Sequence, residues 1–303
     1  MDKRNVKQPE APEKPVQYGG QALIEGVMMR GPKEYCVAIR LPDNSIEVTK
    51  RPLSTWPQKE FCRLPIIRGC VALIDSLVVG MKALMFSADR AVGEETGEKL
   101  SFWEMALTFV VALGLGMLLF VGIPTAGAHF LQNIFAGTVL QNLIEGFFRL
   151  VIFFLYVVAI SRIKDIQRVF AYHGAEHKVI FTYEAHGALT VDSARGHSRF
   201  HPRCGTSFLL IVVLVSIFVF AFLGLEPLWW RILSRVLLMP VVAGIAYEIL
   251  KYTGRHMESK WLRWLIAPGL FLQKLTTREP DDAQLEVALA ALDGVLESGQ
   301  ELA

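Results

Sequence analysis

Met105 to Ile123 carries no charged residue and runs into Pro124. The hydrocarbon core of a bilayer takes ~20 consecutive, mostly apolar residues of helix, so no other stretch restricts the fold as much. Thr206 to Leu225 is a second such block, held between Arg203 and Glu226. Leu143 to Ile160 is a third if Glu145 and Arg149, spaced i,i+4, pair on one helix face near the membrane surface. Leu233 to Leu250 is the fourth, with Arg235 close enough to one end to snorkel and with Pro240 and Gly244 marking a kink. The fold class read from this pattern is mainly α: a polytopic membrane protein with four transmembrane helices. Composition agrees, since 52% of residues are hydrophobic and only 20% charged, which excludes disorder over most of the chain and argues against a purely soluble enzyme. The net charge of +2 is too small for a nucleic-acid binder. The four cysteines form no CxxC pair, so neither a disulfide framework nor a zinc ribbon is expected.

The basic residues orient the spans. No Lys or Arg lies between Pro124 and Asn142, whereas Arg162, Lys164, Arg168, Lys178, Arg195, Arg199 and Arg203 fill the next connection. Lys251, Arg255, Lys260 and Arg263 follow the last span. The expectation is a multi-pass plasma-membrane protein with both termini and the middle loop in the cytoplasm. Its partners are then the lipid bilayer and other membrane proteins, with no nucleic acid.

Residues 1–17 are polar and read as a disordered tail, with no signal peptide. Residues 18–62 hold a cytoplasmic glycine-rich segment, Gly19 to Pro32, and a β-hairpin. Tyr35 to Leu41 and Ser45 to Lys50 alternate apolar and polar around the turn Pro42-Asp43-Asn44. The glycine-rich segment lacks the Gly-Lys-Ser/Thr ending of a phosphate loop, so it is not read as a nucleotide site. A lone hairpin is unstable, so this region is expected to pack on the middle loop. Residues 63–100 read as an amphipathic interfacial helix, because Arg68, Asp75, Lys82 and Asp89 fall on one narrow stripe. Residues 101–162 take the first two spans, 163–206 a histidine-rich loop, and 207–275 the last two spans with an extension. Residues 276–303 form an acidic amphipathic helix with Leu285, Leu289, Leu292 and Leu296 at helical spacing.

The histidines carry the chemistry. In His173-Gly-Ala-Glu176-His177, residues i, i+3 and i+4 share one helix face, so two imidazoles can grip a divalent metal beside a carboxylate. This H-x-x-E-H order inverts the zincin motif. A second cluster, His197-Ser-Arg-Phe-His201-Pro-Arg-Cys204, adds two imidazoles and a thiol. Cys204 precedes a helix, whose N-terminus favours thiolate. The expected metal ligands are therefore His173, His177, His201, Cys204 and His197, with Glu176 as catalytic base. Mixed nitrogen and sulfur donors favour zinc. Glu248 follows His177 at a separation resembling that of the distal glutamate in inverted zincins, which the chain resembles in nothing else, or it pairs with Lys251 or Arg255. His256 could join the site or bind lipid phosphate, and Glu25 and Arg30 could support it from behind. His186 reads as a bystander.

These motifs carry a resemblance. Gly19–Pro32, Arg63–Gly69, His173–Lys178 and His201–Phe208 are similar to the segments of the YqhQ-like family of bacterial polytopic membrane proteins, over roughly Gly19 to Glu279. The resemblance implies a polytopic, metal-dependent enzyme and marks His173, Glu176, His177, His201 and Cys204, without fixing a reaction. The function expected is a cytoplasm-facing metal hydrolase acting on a membrane-associated substrate, a membrane-protein segment or a lipid headgroup. The alternative is a non-catalytic scaffold or adaptor whose four ligands close around a structural metal. A transporter ranks third, since the sequence shows no internal repeat.

Overall fold

Alternating side chains at the N-terminal end build a sheet with two buried faces. The computed structural model describes residues 18–96, 102–135, 137–255 and 260–300. Strands β1 (Gly19–Leu23), β2 (Gly26–Arg30), β3 (Glu34–Arg40) and β4 (Ile46–Pro52) form one antiparallel sheet in the order β1-β2-β3-β4. The expected hairpin is β3–β4. The glycine-rich segment extends it, because Ile24 and Glu25 turn β1 into β2 with Glu25 at φ 53°. Gly26 is required there: a Cβ would collide with the Ala38 carbonyl of β3.

The helices follow in order: α1 (Ile67–Thr96), α2 (Phe102–Met117), α3 (Ile123–Phe130), α4 (Thr138–Ile160), α5 (Lys164–Glu184), α6 (Val191–Arg195), α7 (Gly205–Phe220), α8 (Leu228–Arg255), α9 (Lys260–Thr276) and α10 (Asp282–Gln300). A π-helical turn, Leu118–Gly122, joins α2 to α3. On one face of the sheet, Val27, Met29, Cys36 and Ala38 meet α5 and α10 in a core with Tyr172, Val179, Leu285 and Leu292. On the other, Leu23, Met28, Val37 and Ile39 meet Val79 and Ala83 of α1. A capping box starts α10: Asp281 Oδ1 accepts from the Gln284 amide at 2.8 Å, and Gln284 Oε1 accepts from the Asp281 amide at 3.1 Å. The expected amphipathic C-terminal helix is thus a cover for the sheet.

Among the described residues, four helices are long and apolar enough to cross a membrane: Ile67–Ala91, Ala106–Phe130, Thr138–Ile160 and Leu228–Gly254. Three coincide with expected spans, but the set differs in two places. The expected span Thr206–Leu225 forms α7, whose 16 residues rise ~24 Å, short of a ~30 Å core. The helix expected to lie in the interface, α1, meets the length and composition instead. Its charged stripe does not simply face water: Asp75 is buried against Arg30 of β2, and Arg68 is bonded to Glu248 of α8. Gly69 and Gly244 let α1 and α8 touch, since a Cβ on Gly69 would stand 2.8 Å from the Gly244 Cα.

The expected i,i+4 pair of Glu145 and Arg149 forms, inside a larger buried cluster of charges. Glu145, Arg149, Arg231 and Arg235 all turn inward and are 0–2% exposed. Glu145 accepts from Arg149 Nη2 at 2.9 Å, Arg231 Nε at 2.9 Å and Arg235 Nε at 3.3 Å. Carbonyls take further donors, from Arg149 Nε to Phe120 at 2.9 Å and from Arg235 Nη1 to Gly224 at 3.3 Å. Arg231 Nη2 forms an ion pair with Glu145 Oε2 at 2.9 Å outside hydrogen-bond geometry, so both Arg231 Nη atoms lack a hydrogen-bond partner among the described residues. Snorkelling is not needed where a buried carboxylate draws the guanidiniums in.

Candidate metal centre

Helix α5 presents His173, Glu176 and His177 on one face, as the i, i+3, i+4 spacing predicts. Each imidazole is then oriented by a backbone carbonyl. His173 Nδ1 is 2.8 Å from the Thr276 oxygen at the end of α9, and His177 Nδ1 is 2.6 Å from the Arg199 oxygen. Donation from both Nδ1 atoms leaves both Nε2 lone pairs for a ligand. His173 Nε2 lies 3.2 Å from Cys204 Sγ. One ligand atom from each of His173, His177 and Cys204 lies within 4.8 Å of the other two. Donors of a tetrahedral zinc bound at ~2.0–2.3 Å stand ~3.3–3.8 Å apart, so this nitrogen and sulfur set fits such an ion with small adjustments.

The sequence folds this way for local reasons. Cys204 caps α7, its sulfur accepting from the Thr206 amide at 3.4 Å, which places the thiol at a helix N-terminus. Gly174 is needed because a Cβ there would collide with the Arg278 carbonyl. The chain after α9 can therefore pass against α5, where the Arg278 amide bonds Phe170 O at 2.8 Å and the Thr276 carbonyl reaches His173. Gln273 fixes the loop that carries His201, donating to the His201 carbonyl and accepting from its amide, both at 2.8 Å.

Glu176 is 5% exposed and lies against β1, where a Cβ on Gly20 would stand 2.9 Å from its carboxyl carbon. The Gly20 amide donates to it, yet Oε2 has no hydrogen-bond partner among the described residues. Burial pushes its pKa up, while His173 and His201 pull the other way. Burial likewise lowers the pKa of His177 and takes His201 down to about 4, so both imidazoles stay neutral at physiological pH. A cavity of ≈ 490 Å³ joins these groups, lined by His173, Glu176, His177, His201, Cys204 and the backbone of β1.

The other expected site residues fall elsewhere or play other parts. His201 lines the cavity outside the group of His173, His177 and Cys204: its Nδ1 accepts from the Arg203 amide at 3.3 Å, and its Nε2 is 3.5 Å from Glu184 Oε2. His197 is half-buried and does not line the cavity. Glu25 bonds Arg168 and the Tyr172 hydroxyl, Arg30 bonds Asp75, and Glu248 bonds Arg68; all three form ion pairs between elements, and none lines the cavity. His256 lies outside the described residues. Gly20, Gln273 and the carbonyls of Thr276 and Arg199 are site components that sequence reasoning missed; only the Gly-Gly pair at 19–20 hinted at a close approach.

The family model described as "Protein of unknown function (DUF1385)" matches residues 64–298, which include every element of this centre except β1. The chain belongs to this family. It is also 39% identical over 295 residues, 93% of each chain, to "Uncharacterized protein YqhQ" of Bacillus subtilis (strain 168). The YqhQ-like resemblance of the sequence motifs is thereby established for nearly the whole chain. No solved structure matches it.

Proposed function

We propose that the chain is a membrane-embedded, metal-dependent hydrolase acting on a membrane-associated substrate, with its centre open to the cytoplasm. The observation that carries this reading is Glu176: a buried carboxylate whose Oε2 has no hydrogen-bond partner among the described residues, in the cavity of the three candidate ligands but outside their group. Catalytic zinc sites keep three protein ligands and one open position. His173, His177 and Cys204 would hold the ion, which when bound supplies Lewis acidity toward the scissile group and the attacking water. Glu176 accepts the proton that water loses as its oxygen bonds the scissile centre, and returns it to the leaving group as the old bond breaks. Its raised pKa suits both directions of transfer. A closed structural site would need His201 as fourth ligand, and both ring nitrogens of His201 already face other groups.

Orientation rests on the Lys and Arg asymmetry of the connections. A cysteine introduced at Ala188 should resist an impermeant thiol reagent in intact cells and react after lysis; labelling in intact cells would reverse the topology. For the chemistry, hydrolysis by the purified chain in liposomes should stop on chelation and return with added zinc. Turnover indifferent to chelation would remove the hydrolase reading.

A further inference from the structure

A second cavity, of ≈ 590 Å³, shares no lining residue with the one that holds the histidines. It opens between the turn at Trp56–Arg63, the first turns of α1 and the last turns of α8, and Arg30, Arg63, Arg68 and Lys251 line it. Asp75 is the one acid among the described lining residues, and Glu248 bonds Arg68 from α8. Each guanidinium has five N–H donors. Asp75 takes one from Arg30, and Glu248 takes two from Arg68. The ion pairs thus hold both arginines in place without exhausting their donors. Lys251 Nζ sits 5.7 Å over the Tyr247 ring, and Arg63 is exposed.

The surroundings indicate which anion belongs there. Arg68 and Asp75 begin one helix long enough to cross a membrane, and Lys251 ends another. Beside the cavity, in one short stretch, Phe61 is 68% exposed, Leu64 48% and Ile66 39%. Exposed apolar side chains next to a basic cleft at the ends of spans match the boundary between acyl chains and headgroups. Planar guanidiniums fixed by acids are suited to phosphate oxygens. We propose that this cleft binds the phosphate of an anionic lipid headgroup, with Phe61, Leu64 and Ile66 against the acyl region. This site is independent of the metal centre.

The test uses the full-length chain in detergent micelles, titrated with dioleoylphosphatidylglycerol, with dioleoylphosphatidylcholine and separately with inorganic phosphate, bound species being read by native mass spectrometry. Phosphatidylglycerol should bind more tightly than phosphatidylcholine. The Arg63→Gln/Lys251→Gln variant leaves both ion pairs intact and should bind phosphatidylglycerol about 10–30-fold more weakly. Arg162→Gln/Lys164→Gln makes the same charge change at exposed positions outside the cleft and should bind as wild type. Circular dichroism and elution volume check that both variants fold. Equal binding of the two lipids, or equal loss in the two variants, would overturn the proposal. Binding of inorganic phosphate without binding of phosphatidylglycerol would assign the cleft to a soluble phosphate and overturn the lipid as its ligand.

Discussion

Glu176→Gln should keep the fold and the metal and lose about 10²–10⁴-fold in turnover, the usual worth of a general base. The exchange preserves size, and a glutamine oxygen can still accept from the Gly20 amide that holds this side chain. It leaves His173, His177 and Cys204 untouched, so metal content should match wild type. What disappears is the ability to take a proton. His177→Ala should differ, removing metal and activity together. If the site were structural, Glu176→Gln would be silent while His177→Ala remained damaging. A Glu176→Gln protein with wild-type turnover would therefore remove the base from the mechanism.

The largest expected loss of stability comes from Glu145→Gln, at about 3–5 kcal/mol. Glu145 is 1% exposed and is the carboxylate toward which Arg149, Arg231 and Arg235 converge. Removing its charge leaves Arg149 and Arg235 buried with only carbonyl, hydroxyl and amide acceptors, and leaves Arg231 a neutral amide oxygen in place of its carboxylate. Breaking a buried pair from one side costs far more than the pair contributes, because the remaining charge stays desolvated. Exposed Glu60→Gln should stay within about 0.5 kcal/mol of wild type. The thermal midpoint in detergent should show this contrast, and Glu145→Gln/Arg231→Gln should recover part of the loss. Equal midpoints for Glu145→Gln and Glu60→Gln would show that the cluster carries no such strain.

What the sequence made legible was periodic or local. The helical period put His173, Glu176 and His177 on one face, and the position of Cys204 before an apolar helix put its thiol at a helix N-terminus. The β3–β4 hairpin showed in its alternation and its Pro-Asp-Asn turn. The β1–β2 hairpin did not, because Ile24-Glu25 has none of the glycine or asparagine that usually marks a two-residue turn. Long-range ion pairs were not legible either. Glu248 lies 180 residues from Arg68, and Arg30 lies 45 from Asp75, so charges that read as site support or as a polar stripe are joints between elements. Arg235 was placed by its distance from a helix end, whereas its position follows from Glu145, 90 residues earlier. Nothing in one sequence marks that acceptor. The same limit applied to α1, whose stripe seemed to need water until its partners on β2 and α8 were known.

The central claim is a metal held by His173, His177 and Cys204, and metal analysis of gently extracted, chelator-free protein tests it most directly. Wild type should carry one zinc ion per chain. His173→Ala/His177→Ala should carry none, and Cys204→Ser should hold it weakly enough to lose it on dialysis, since each variant breaks the three-donor set. Wild-type protein free of any transition metal, or a double variant that retains the wild-type content, would contradict the account.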